Sequence, residues 1–497
     1  MRLAQLLNGL VDVSEQLIQE LGATEIGTLA LDSRKVEKDG LFIALAGSKQ
    51  HGLVHVEEVI QKGAGAILFQ PSDEGLKLAS SITRFPVVPV ENLSNVLGQL
   101  AARFYGKPSE SLNVIGITGT NGKTSCSQFL GQLLDDCGII GTLGWGDWGL
   151  LKQTVNTTPD ALTVQQILAE FVKENKQAVA MEVSSHGLDQ GRVSGVRFKG
   201  AVYTNISRDH LDYHCTMEAY LLAKLKLLDM PGLEFVVINL DDAMSSEIIA
   251  AVPPSVAIWT VSAKGKSHNF GRSVIAENVK HNLDGIEFKL TWGSESLQIT
   301  APVYGDFNSE NLLCVLAVML ALGNKLTDVV ARISSLKPVA GRMERCSRSL
   351  NTPSVFVDYA HTPDALQRVL ASLRNHCQQK LWVVFGCGGN RDKGKRPIMG
   401  EVAERWSDKV VITDDNPRFE SNVQIAQEIL AGCHGNKAIL IQDRKTAIQK
   451  VIAEAERDDF VVIAGKGHEN YQEIDGVQYP FNDKQIAEDA LKIRLST

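Results

Sequence analysis

The chain has 497 residues, of which 44% are hydrophobic and 22% are charged. At roughly 100–200 residues per domain this length predicts about three domains, and the hydrophobic fraction is too high for a mainly disordered chain. The 50 Lys and Arg against 58 Asp and Glu give a formal charge of -8, which argues against general binding to nucleic acids or anionic membranes.

Targeting and redox signals favour a reduced cytoplasmic protein without membrane insertion. The longest apolar run, Leu312–Leu322, is about half of the ~20 residues that cross a bilayer and predicts a buried helix. The first residues meet polar and acidic side chains too early for a signal peptide. The 8 cysteines are scattered without a C-x-x-C pair, which favours small buried thiols over a disulfide or zinc framework.

Residues 1–105 have the pattern of a small α/β domain. Short apolar runs at Leu41–Leu45, Ala64–Phe69 and Val87–Val90 alternate with Gly and charged residues, which is typical of strands joined by turns. Asn92–Phe104 has the spacing of an amphipathic helix, and a linker follows it.

Residues 106–337 predict a second domain with a doubly wound parallel sheet, because strand-like and helical runs alternate. Its predicted strands are Leu112–Thr118, Ala178–Val183, Gly200–Thr204, Phe235–Asn239 and Val256–Val261. Tighter alternation over Lys264–Ile299, with Gly and Asn turns, predicts an antiparallel addition.

Residues 338–497 again predict a doubly wound α/β domain. The strands are expected at Ser354–Val357, Leu381–Phe385, Lys409–Thr413, Lys437–Ile441 and Asp459–Ala464. The helices are expected at Thr362–Asn375, Asn422–Ala431, Arg444–Ala455 and Asp483–Arg494. The fold class is therefore α/β with three domains.

A glycine-rich loop follows the first strand of the second domain and precedes an apolar-periodic helix. Its candidate phosphate-binding residues are Gly119, Thr120, Asn121, Gly122, Lys123, Thr124 and Ser125. Glycines let backbone N–H groups turn towards phosphate oxygens, a lysine reaches the β- and γ-phosphates, and a following hydroxyl holds Mg²⁺. The shorter G-x-x-G-K-[ST] pattern leaves open a turn that merely caps a helix.

Polar residues follow two other strands of the same domain. Glu182 ends the strand that begins at Ala178, and Asn205–His214 follows the next strand. Ligands gather at the carboxyl ends of parallel strands, and Mg²⁺ prefers oxygen ligands, so Glu182 and Thr124 suit a magnesium site. Alternatively, Asp209 caps a turn and the histidines are packed or solvated groups. The sequence alone places Lys224 on the surface of a helix.

Taken together and in order, a set of motifs resembles the Mur ligase family, ATP-dependent amide-bond ligases that build the peptide stem of peptidoglycan. The matching segments are Gly119–Ser125, Asn156–Pro159, Glu182–Gly187, Asn205–His214, Lys224, Gly305–Asn311, Gly341–Glu344 and Asp358–Pro363. The resemblance implies a UDP-sugar-binding N-terminal domain, a central P-loop ATPase-like domain and a Rossmann-like C-terminal domain. It implies small-molecule substrates, no nucleic acid, and a monomer.

The resemblance also implies roles for residues that spacing alone does not assign. Lys224 would carry a carbamate (N6-carboxylysine) that holds a second Mg²⁺ together with Glu182 and His210, beside the ion at Thr124. Lys123, Glu182, His210 and Lys224 would form the catalytic set. ATP, the co-substrate, would also contact Asn311, Arg342 and Asp358. Alternatively, Asn308 and Asn311 begin a helix after Gly305, a role that could coexist with nucleotide contact, and Arg342 and Glu344 form an ordinary interdomain pair.

The resemblance further indicates which amino acid is added. The segment Asp415-Asn416-Pro417-Arg418 resembles that of family members that add meso-diaminopimelate, whose distal carboxylate matches a guanidinium fork. Arg391 is the second arginine expected there, and Gly465 and Glu469 would bind the distal ammonium. Without the resemblance, Asp415–Arg418 is a turn and Gly465–Glu469 could be a phosphate loop.

The UDP-muramoyl-dipeptide would be bound by residues of the first two domains. The implied residues are Leu31, Ser33, Ser48, Lys49, Gln50, Asn156, Thr157, Thr158, Ser184, Gln190 and Arg192. The loop at residues 47–52 departs from the commoner pattern, with His51 where an Asp is frequent.

The mechanism implied is phosphorylation of the γ-carboxylate of D-glutamate by ATP, followed by attack of the diaminopimelate amine on the acyl phosphate. Three alternatives remain: a folylpolyglutamate synthetase-like ligase, a P-loop ATPase, and a non-catalytic nucleotide-binding protein. Asp415–Arg418 argues against the first, and the intact Lys123, Thr124, Glu182 and His210 argue against the last.

Overall fold

A computed structural model describes residues 1–11, 23–47, 50–83, 85–269, 272–282, 284–346, 349 and 351–496. The chain packs as two units. The first unit is Met1–Val261 with Ser267–Ser273 and Ala317–Leu322. The second unit is Ser262–Lys266 with Val274–Leu316 and Gly323–Thr497.

The first unit begins with a parallel sheet in the order β1-β2-β3-β4. Its strands are β1 (Thr28–Ala30), β2 (Gly40–Ala44), β3 (Ala66–Phe69) and β4 (Val87–Pro89). Every residue of β2 and β3 is buried, as expected for parallel strands covered on both faces. The sequence predicted three of these strands and missed β1.

The first unit also contains a larger sheet, in the order β12-β11-β10-β5-β9-β6-β7-β8. Its strands are β5 (Asn113–Thr118), β6 (Cys137–Gly141), β7 (Gly144–Asp147), β8 (Leu150–Lys152), β9 (Ala178–Glu182), β10 (Gly200–Tyr203), β11 (Phe235–Asn239) and β12 (Ala257–Ser262). The strands from β12 to β6 run parallel, and β7 and β8 are antiparallel additions. Glu182 pairs with Ile117 and Tyr203 with Thr118, so β5, β9 and β10 end together.

Ten described helices accompany these sheets up to residue 261. They are α1 (Leu3–Leu7), α2 (Val56–Gln61), α3 (Asp73–Ala79), α4 (Leu93–Phe104), α5 (Lys123–Leu133), α6 (Ala161–Lys173), α7 (Ser185–Asp189), α8 (Leu211–His214), α9 (Met217–Leu225) and α10 (Ser245–Ala251). The predicted helix at Asn92–Phe104 is confirmed as α4. The core of the larger sheet includes Val114, Met181, Phe198 and Tyr220.

The second unit contains the predicted antiparallel addition. Its strands β13 (Arg272–Asn282), β14 (Gly285–Trp292) and β15 (Glu295–Ala301) pair antiparallel in chain order. The sequence signal was the period-two alternation of apolar residues, which is visible as alternating burial along β14.

A mostly parallel sheet of the second unit has the order β16-β17-β21-β18-β19-β20. Its strands, with a separate hairpin of β22 and β23, are β16 (Glu344–Arg345), β17 (Ser354–Asp358), β18 (Leu381–Phe385), β19 (Lys409–Ile412), β20 (Ala438–Leu440), β21 (Phe460–Ala464), β22 (Tyr471–Ile474) and β23 (Val477–Pro480). The remaining helices are α11 (Asp306–Ala321), α12 (Leu326–Ile333), α13 (Pro363–His376), α14 (Lys395–Trp406), α15 (Asn422–Leu430), α16 (Arg444–Glu454) and α17 (Asp483–Ser496). The five strands predicted after residue 338 are all present.

Within the described residues, none of the helices combines the length and apolar character needed to span a bilayer. The apolar run at 312–322 falls in α11, where Leu312–Met319 are buried. Six of the eight cysteines are buried, and Cys215 is exposed. The sheets described above confirm the expected α/β class with parallel sheets.

Candidate active site

The glycine-rich loop joins β5 to α5, as its sequence predicted. Gly119 has φ +147°, and a Cβ on it would lie 1.9 Å from Thr204 Oγ1. Gly122 is the residue before α5 and has φ +87°. Because L-residues with a Cβ avoid such conformations, both positions require glycine. A strand, a tight glycine turn and a helix N-terminus together form a ready anion site.

The loop is held in place by the end of β10. Asn205 Oδ1 accepts a hydrogen bond from Asn121 N (3.0 Å), and Asn205 Nδ2 donates to Asn121 O (3.1 Å). Thr204 Oγ1 also donates to Asn121 O (2.6 Å). The polar cluster after β10 therefore supports the loop, a role that the sequence did not reveal.

Glu182 and Thr124 are brought together, as expected from the convergence of strand ends. The Glu182 carboxylate is fully buried, and its Oε2 accepts hydrogen bonds from Thr124 Oγ1 (3.0 Å) and Thr142 Oγ1 (3.0 Å). Its Oε1 accepts from Thr142 N (2.9 Å). A carboxylate and a hydroxyl beside a phosphate loop provide the hard oxygen donors that suit Mg²⁺.

Lys224 does not lie on the surface, which is where the sequence alone placed it. It is 1% exposed, and its Nζ donates to Gly119 O (3.0 Å) and lies 4.5 Å from the centroid of the Tyr220 ring. Burial, and then the like charge of Lys123, lower the pKa of Lys224 well below its ordinary value. Lys123 Nζ donates to the same Gly119 carbonyl (2.7 Å), so two ammonium groups converge on the loop.

His210 is the half-exposed member of the predicted set. It precedes α8 with φ +53°, and its ring centroid is 4.8 Å from that of His186. Burial lowers the pKa of His210, and the neighbouring Asp209 opposes that shift. Among the described residues no group of three or more His, Cys, Asp and Glu side chains is placed to hold a metal ion. The metal ligands predicted from the sequence are not such a group, because they include the hydroxyl of Thr124 and a carbamate on Lys224.

The residues predicted to bind the muramoyl-dipeptide form a connected network beside Glu182. Thr158 Oγ1 donates to Glu182 O (3.0 Å) and to Ser184 Oγ (3.1 Å), while Thr157 Oγ1 is 3.1 Å from Thr142 Oγ1. Arg192 donates from Nη1 to Thr158 O (2.9 Å) and from Nε to Gln190 Oε1 (3.0 Å). Asn156, which directly precedes Thr157 in the chain, is exposed.

The N-terminal residues predicted to bind the nucleotide sugar lie elsewhere in the first unit. Ser33 is buried, and its Oγ donates to Glu58 Oε2 (2.8 Å). Leu31 is half-buried, and Gln50 Nε2 is 3.1 Å from His55 Nε2. Ser48 and Lys49 lie outside the described residues.

The unusual His51 has a structural role. It is fully buried, its Nδ1 accepts from Leu53 N (3.1 Å), and its Nε2 is 2.8 Å from Gln70 O. Both ring nitrogens are therefore used by the backbone of its own domain.

The second unit contains the remaining residues predicted to contact ATP. Asp358 is buried at the end of β17 and accepts from Met343 N (2.7 Å) and Ala360 N (2.8 Å). Burial raises the pKa of this carboxyl, and the charge of Arg342 opposes the shift. The Arg342 guanidinium lies 4.7 Å from the centroid of the Tyr359 ring, a cation–π contact.

The structure tests two alternative interpretations from the sequence, an ion pair between Arg342 and Glu344 and a helix start at Asn308 and Asn311. Glu344 does not pair with Arg342, because its Oε1 accepts from Lys484 Nζ (2.6 Å) and its Oε2 from Gly341 N (2.8 Å). Asn311 donates from Nδ2 to Asn308 Oδ1 (3.0 Å) within α11. Both asparagines are buried in the first turns of the helix, which confirms the helix start.

The residues predicted to bind diaminopimelate converge where β19 and β21 end. Asn416 Nδ2 donates to Glu469 Oε2 (2.9 Å), and Asp415 is buried beside Gly465. A Cβ on Gly465, which has φ +114°, would lie 2.6 Å from Asp415 Oδ2. The sequence missed Lys466, which is fully buried among these residues.

Arg418 borders this cluster. Its Nε donates to Glu473 Oε2 (3.1 Å) and its Nη1 to Gly389 O (2.8 Å). Pro417, between Asn416 and Arg418, is buried, and its carbonyl lies where a Cβ on Gly389 would be. Arg391 is exposed a few residues after Gly389.

Sequence profiles of known families cover most of the chain. The Mur ligase family catalytic domain matches residues 25–105, the Mur ligase middle domain matches 117–319, and the Mur ligase glutamate ligase domain matches 341–467. The UDP-N-acetylmuramoyl-L-alanyl-D-glutamate–2,6-diaminopimelate ligase of Coxiella burnetii is 44% identical over 473 residues, which are 94% of this chain and 96% of that protein. The ligase of the same name from Pseudomonas aeruginosa is 45% identical over 471 residues, 94% of this chain and 95% of its own. The chain belongs to the Mur ligase family.

A solved structure agrees with this Mur ligase assignment. A UDP-N-acetylmuramoyl-L-alanyl-D-glutamate–2,6-diaminopimelate ligase superposes with a TM-score of 0.73 and 34% sequence identity, over 100% of both chains. The three-domain Mur ligase fold expected from the sequence is therefore confirmed.

Proposed function

We propose that this Mur ligase joins meso-2,6-diaminopimelate to the γ-carboxylate of D-glutamate in UDP-N-acetylmuramoyl-L-Ala-D-Glu, with ATP as co-substrate. The observation that carries the proposal is the loop at Gly119, around which Lys123, Thr124, Glu182 and the buried Lys224 are assembled. The relatives named above supply the identity of the substrates, because they match the chain almost end to end at 44–45% identity.

In this proposal the residues of the Gly119 loop bind the ATP phosphates, and Asn311, Arg342 and Asp358 contact the rest of the nucleotide. Two Mg²⁺ ions, when bound, supply neutralisation of the charge on the transferred phosphoryl group. Thr124 and Glu182 would hold one of them. Glu182, His210 and Lys224 would hold the other, with Lys224 as its carbamate.

The environment of Lys224 favours this modification. Only a neutral amine attacks CO₂, and burial lowers the pKa of Lys224 and so increases the neutral fraction. The carbamate replaces a buried cation by an anionic oxygen ligand. It would also remove one of the two ammonium groups that converge on Gly119 O.

The reaction has two chemical steps. A γ-carboxylate oxygen of D-glutamate attacks the γ-phosphorus of ATP, and ADP leaves. The diaminopimelate amine then attacks the acyl carbon, loses its proton, and the tetrahedral intermediate expels phosphate to leave the amide. Lys123 stabilises the charge on the phosphoryl group in the first step. Exclusion of water from the site would prevent hydrolysis of the acyl phosphate.

The proposal also assigns regions of the chain to its small-molecule substrates. Residues 1–105 would bind the UDP-sugar, 106–337 ATP, and 338–497 the amino acid. Ser33, Thr157, Thr158, Ser184, Gln190 and Arg192, with Leu31, Ser48, Lys49, Gln50 and Asn156, would bind the nucleotide-dipeptide. The enzyme would act as a cytoplasmic monomer without nucleic acid.

Phosphate release tests the reaction and the choice of amino acid together. The enzyme is given ATP, Mg²⁺ and UDP-N-acetylmuramoyl-L-Ala-D-Glu, with meso-diaminopimelate or L-lysine in parallel. We expect release that requires both the nucleotide-dipeptide and diaminopimelate, with little release from lysine. Release with lysine instead would contradict the amino-acid assignment. Release without either amino acid would favour another ligase of the superfamily or a plain ATPase.

Arg418→Ala tests the recognition of the distal carboxylate. A guanidinium contact to a carboxylate contributes about 1.5–3 kcal/mol, so we expect the KM for diaminopimelate to rise by roughly 10-fold to 100-fold. The KM for ATP should stay within about twofold of wild type. Arg405→Ala, an exposed arginine of the same unit, is the matched control. An equal rise in both KM values would refute this role for Arg418.

A further inference from the structure

Lys466 is a buried cation that the proposed reaction does not yet use. It lies in the loop that follows β21, and its side chain is 0% exposed. A lysine ammonium is costly to bury unless charged or polar partners replace its water. Its partners therefore indicate why the chain places a lysine there.

Those partners are the residues assigned to the amino-acid substrate. Lys466 Nζ donates to Asn416 Oδ1 (2.8 Å) and to Glu469 Oε2 (3.1 Å), and it lies 3.9 Å from Asp415 Oδ1. The ring of Tyr471 is a further neighbour, and its centroid is 5.5 Å away. Lys466 thus contacts three residues of the predicted diaminopimelate set.

The contact with Lys466 fixes the orientation of the Asn416 amide. An ammonium only donates, so Asn416 Oδ1 must face Lys466, and the same oxygen accepts from Glu473 N (3.0 Å). Asn416 Nδ2 is then directed at Glu469 Oε2 (2.9 Å). Two donors occupy Glu469 Oε2, whereas within the described part of the chain no hydrogen bond occupies its Oε1.

The formal charges around Lys466 leave a surplus that suits a second ammonium. Asp415 and Glu469 contribute two negative charges, and Lys466 neutralises one of them. Arg418 is already paired with Glu473. One negative charge therefore remains for a ligand cation, and Lys466 prevents the carboxylates from repelling each other.

We propose that Lys466 is a positioning residue for the amino-acid substrate: it holds Glu469 and Asn416 so that the free Glu469 Oε1 receives the distal ammonium of diaminopimelate. This inference rests on the proposed function, because it takes Glu469 as the group that binds that ammonium. Lys466 itself does not touch the reacting atoms. Its effect reaches the substrate through Glu469.

Steady-state kinetics of Lys466→Met tests the inference. Methionine keeps the length of the buried stem but removes the charge and the donors. We expect the KM for diaminopimelate to rise about tenfold or more, with the KM values for ATP and the nucleotide-dipeptide within about twofold of wild type. Lys450→Met, an exposed lysine of the same unit, is the control and should behave as wild type. Equal changes in all three KM values, or no change, would overturn the inference.

A double-mutant cycle with Glu469→Gln separates positioning from a merely structural role. If Lys466 acts through Glu469, adding Lys466→Met to Glu469→Gln should raise the KM for diaminopimelate by less than about twofold further. Independent, multiplicative effects would contradict the proposal. If Lys466→Met does not fold, as judged by thermal unfolding, Lys466→Gln keeps one donor and is expected to give a smaller but equally selective rise.

The wild-type enzyme distinguishes the two levels of failure. If wild type does not use diaminopimelate, the proposed function fails. If wild type uses it and the Lys466 variants change no KM selectively, only the positioning role fails.

Discussion

The carboxylate of Glu182 shows how one buried side chain can connect the glycine-rich loop with the network that is proposed to bind the dipeptide. Its oxygens accept from Thr124 on one side and from Thr142 on the other, and Thr142 contacts Thr157. Thr124 and Thr142 donate to the carboxylate through hydroxyl groups, which can also accept. Its loss should therefore affect chemistry more than folding.

Glu182→Gln tests this separation. The amide oxygen can accept from Thr142 N, which cannot reverse, while the amide NH₂ can donate to the hydroxyls of Thr124 and Thr142. We expect the free energy of unfolding to change by about 1 kcal/mol. Phosphate release should fall by at least about 100-fold, since a neutral amide is a poor Mg²⁺ ligand. Near-normal turnover would contradict the assignment of Glu182 to the metal.

For single residues, the sequence predicted which side chains belong to the candidate site better than it predicted the surroundings of those side chains. Glycines 119 and 122 were predictable, because a phosphate loop needs positive φ at fixed positions. The burial of Lys224 was missed, although a signal exists: the residues three and four positions before and after it, Tyr220, Leu221, Leu227 and Leu228, are all apolar. Lys466 was passed over for another reason: its partner Asn416 is 50 residues away in the chain, and only the convergence of strand ends brings the two together.

The loop after β21 illustrates the scale of the structural element. A Cβ on Gly467 would meet Tyr359 at 2.7 Å, and a Cβ on Gly341 would meet His468 N at 2.2 Å. The His468 ring lies 5.3 Å from that of Tyr359, which in turn faces Arg342. The loop with Lys466 and Glu469 therefore packs on Gly341 and Tyr359, which are the chain neighbours of Arg342 and Asp358. The sequence predicted the strands on both sides but not this contact between their loops.

This packing predicts a pH dependence of stability. Burial, and then the charge of Arg342, lower the pKa of His468 from 6.5 to about 4. Between pH 6.5 and about pH 4 the unfolded chain therefore binds more protons at His468 than the folded chain does. The free energy of unfolding is therefore unaffected by His468 above about pH 6.5 and decreases as the pH falls towards 4. The contribution of one such group is about 1 kcal/mol per pH unit within that window.

Chemical unfolding of His468→Phe checks the assignment. Phenylalanine keeps a ring against Tyr359 but does not titrate, so the variant should lose less free energy of unfolding between pH 6.5 and 4.5 than wild type. His434→Phe, at an exposed histidine, is the control and should follow wild type. An unchanged slope in His468→Phe would show that His468 does not contribute.

For the whole molecule, the α/β class and the three domains followed from length and from the alternation of strand-like and helical runs. The order of the strands could not be predicted in this way. β6 (Cys137–Gly141) lies between β9 and β7 in the sheet, and its glycines and cysteine give little strand signal in the sequence. Function was predictable because the motifs keep their order along the chain. The geometry that unites them comes from the folded sheets, whose strand ends bring distant motifs together.

Nucleotide-linked stability tests the assignment of Lys123 and Arg342 to ATP. Both residues are assigned to the nucleotide by the proposed function. A ligand at about 100 times its Kd stabilises the folded state by about 2.7 kcal/mol, which raises the Tm. We therefore expect ADP with Mg²⁺ to raise the Tm of wild type, and expect Lys123→Met and Arg342→Ala each to reduce that increase.

The Tm values of Lys123→Met and Arg342→Ala without nucleotide are compared first. The nucleotide-induced increases of the two variants then give different information. Lys450→Met should retain the full nucleotide-induced increase, because its side chain is exposed and forms an ion pair with Glu454 one helical turn away. If Arg342→Ala also retains it while Lys123→Met does not, Arg342 does not contribute to nucleotide binding. Arg342 would then act on the amino-acid loop through Tyr359 and His468 instead, and its variant should raise the KM for diaminopimelate rather than for ATP.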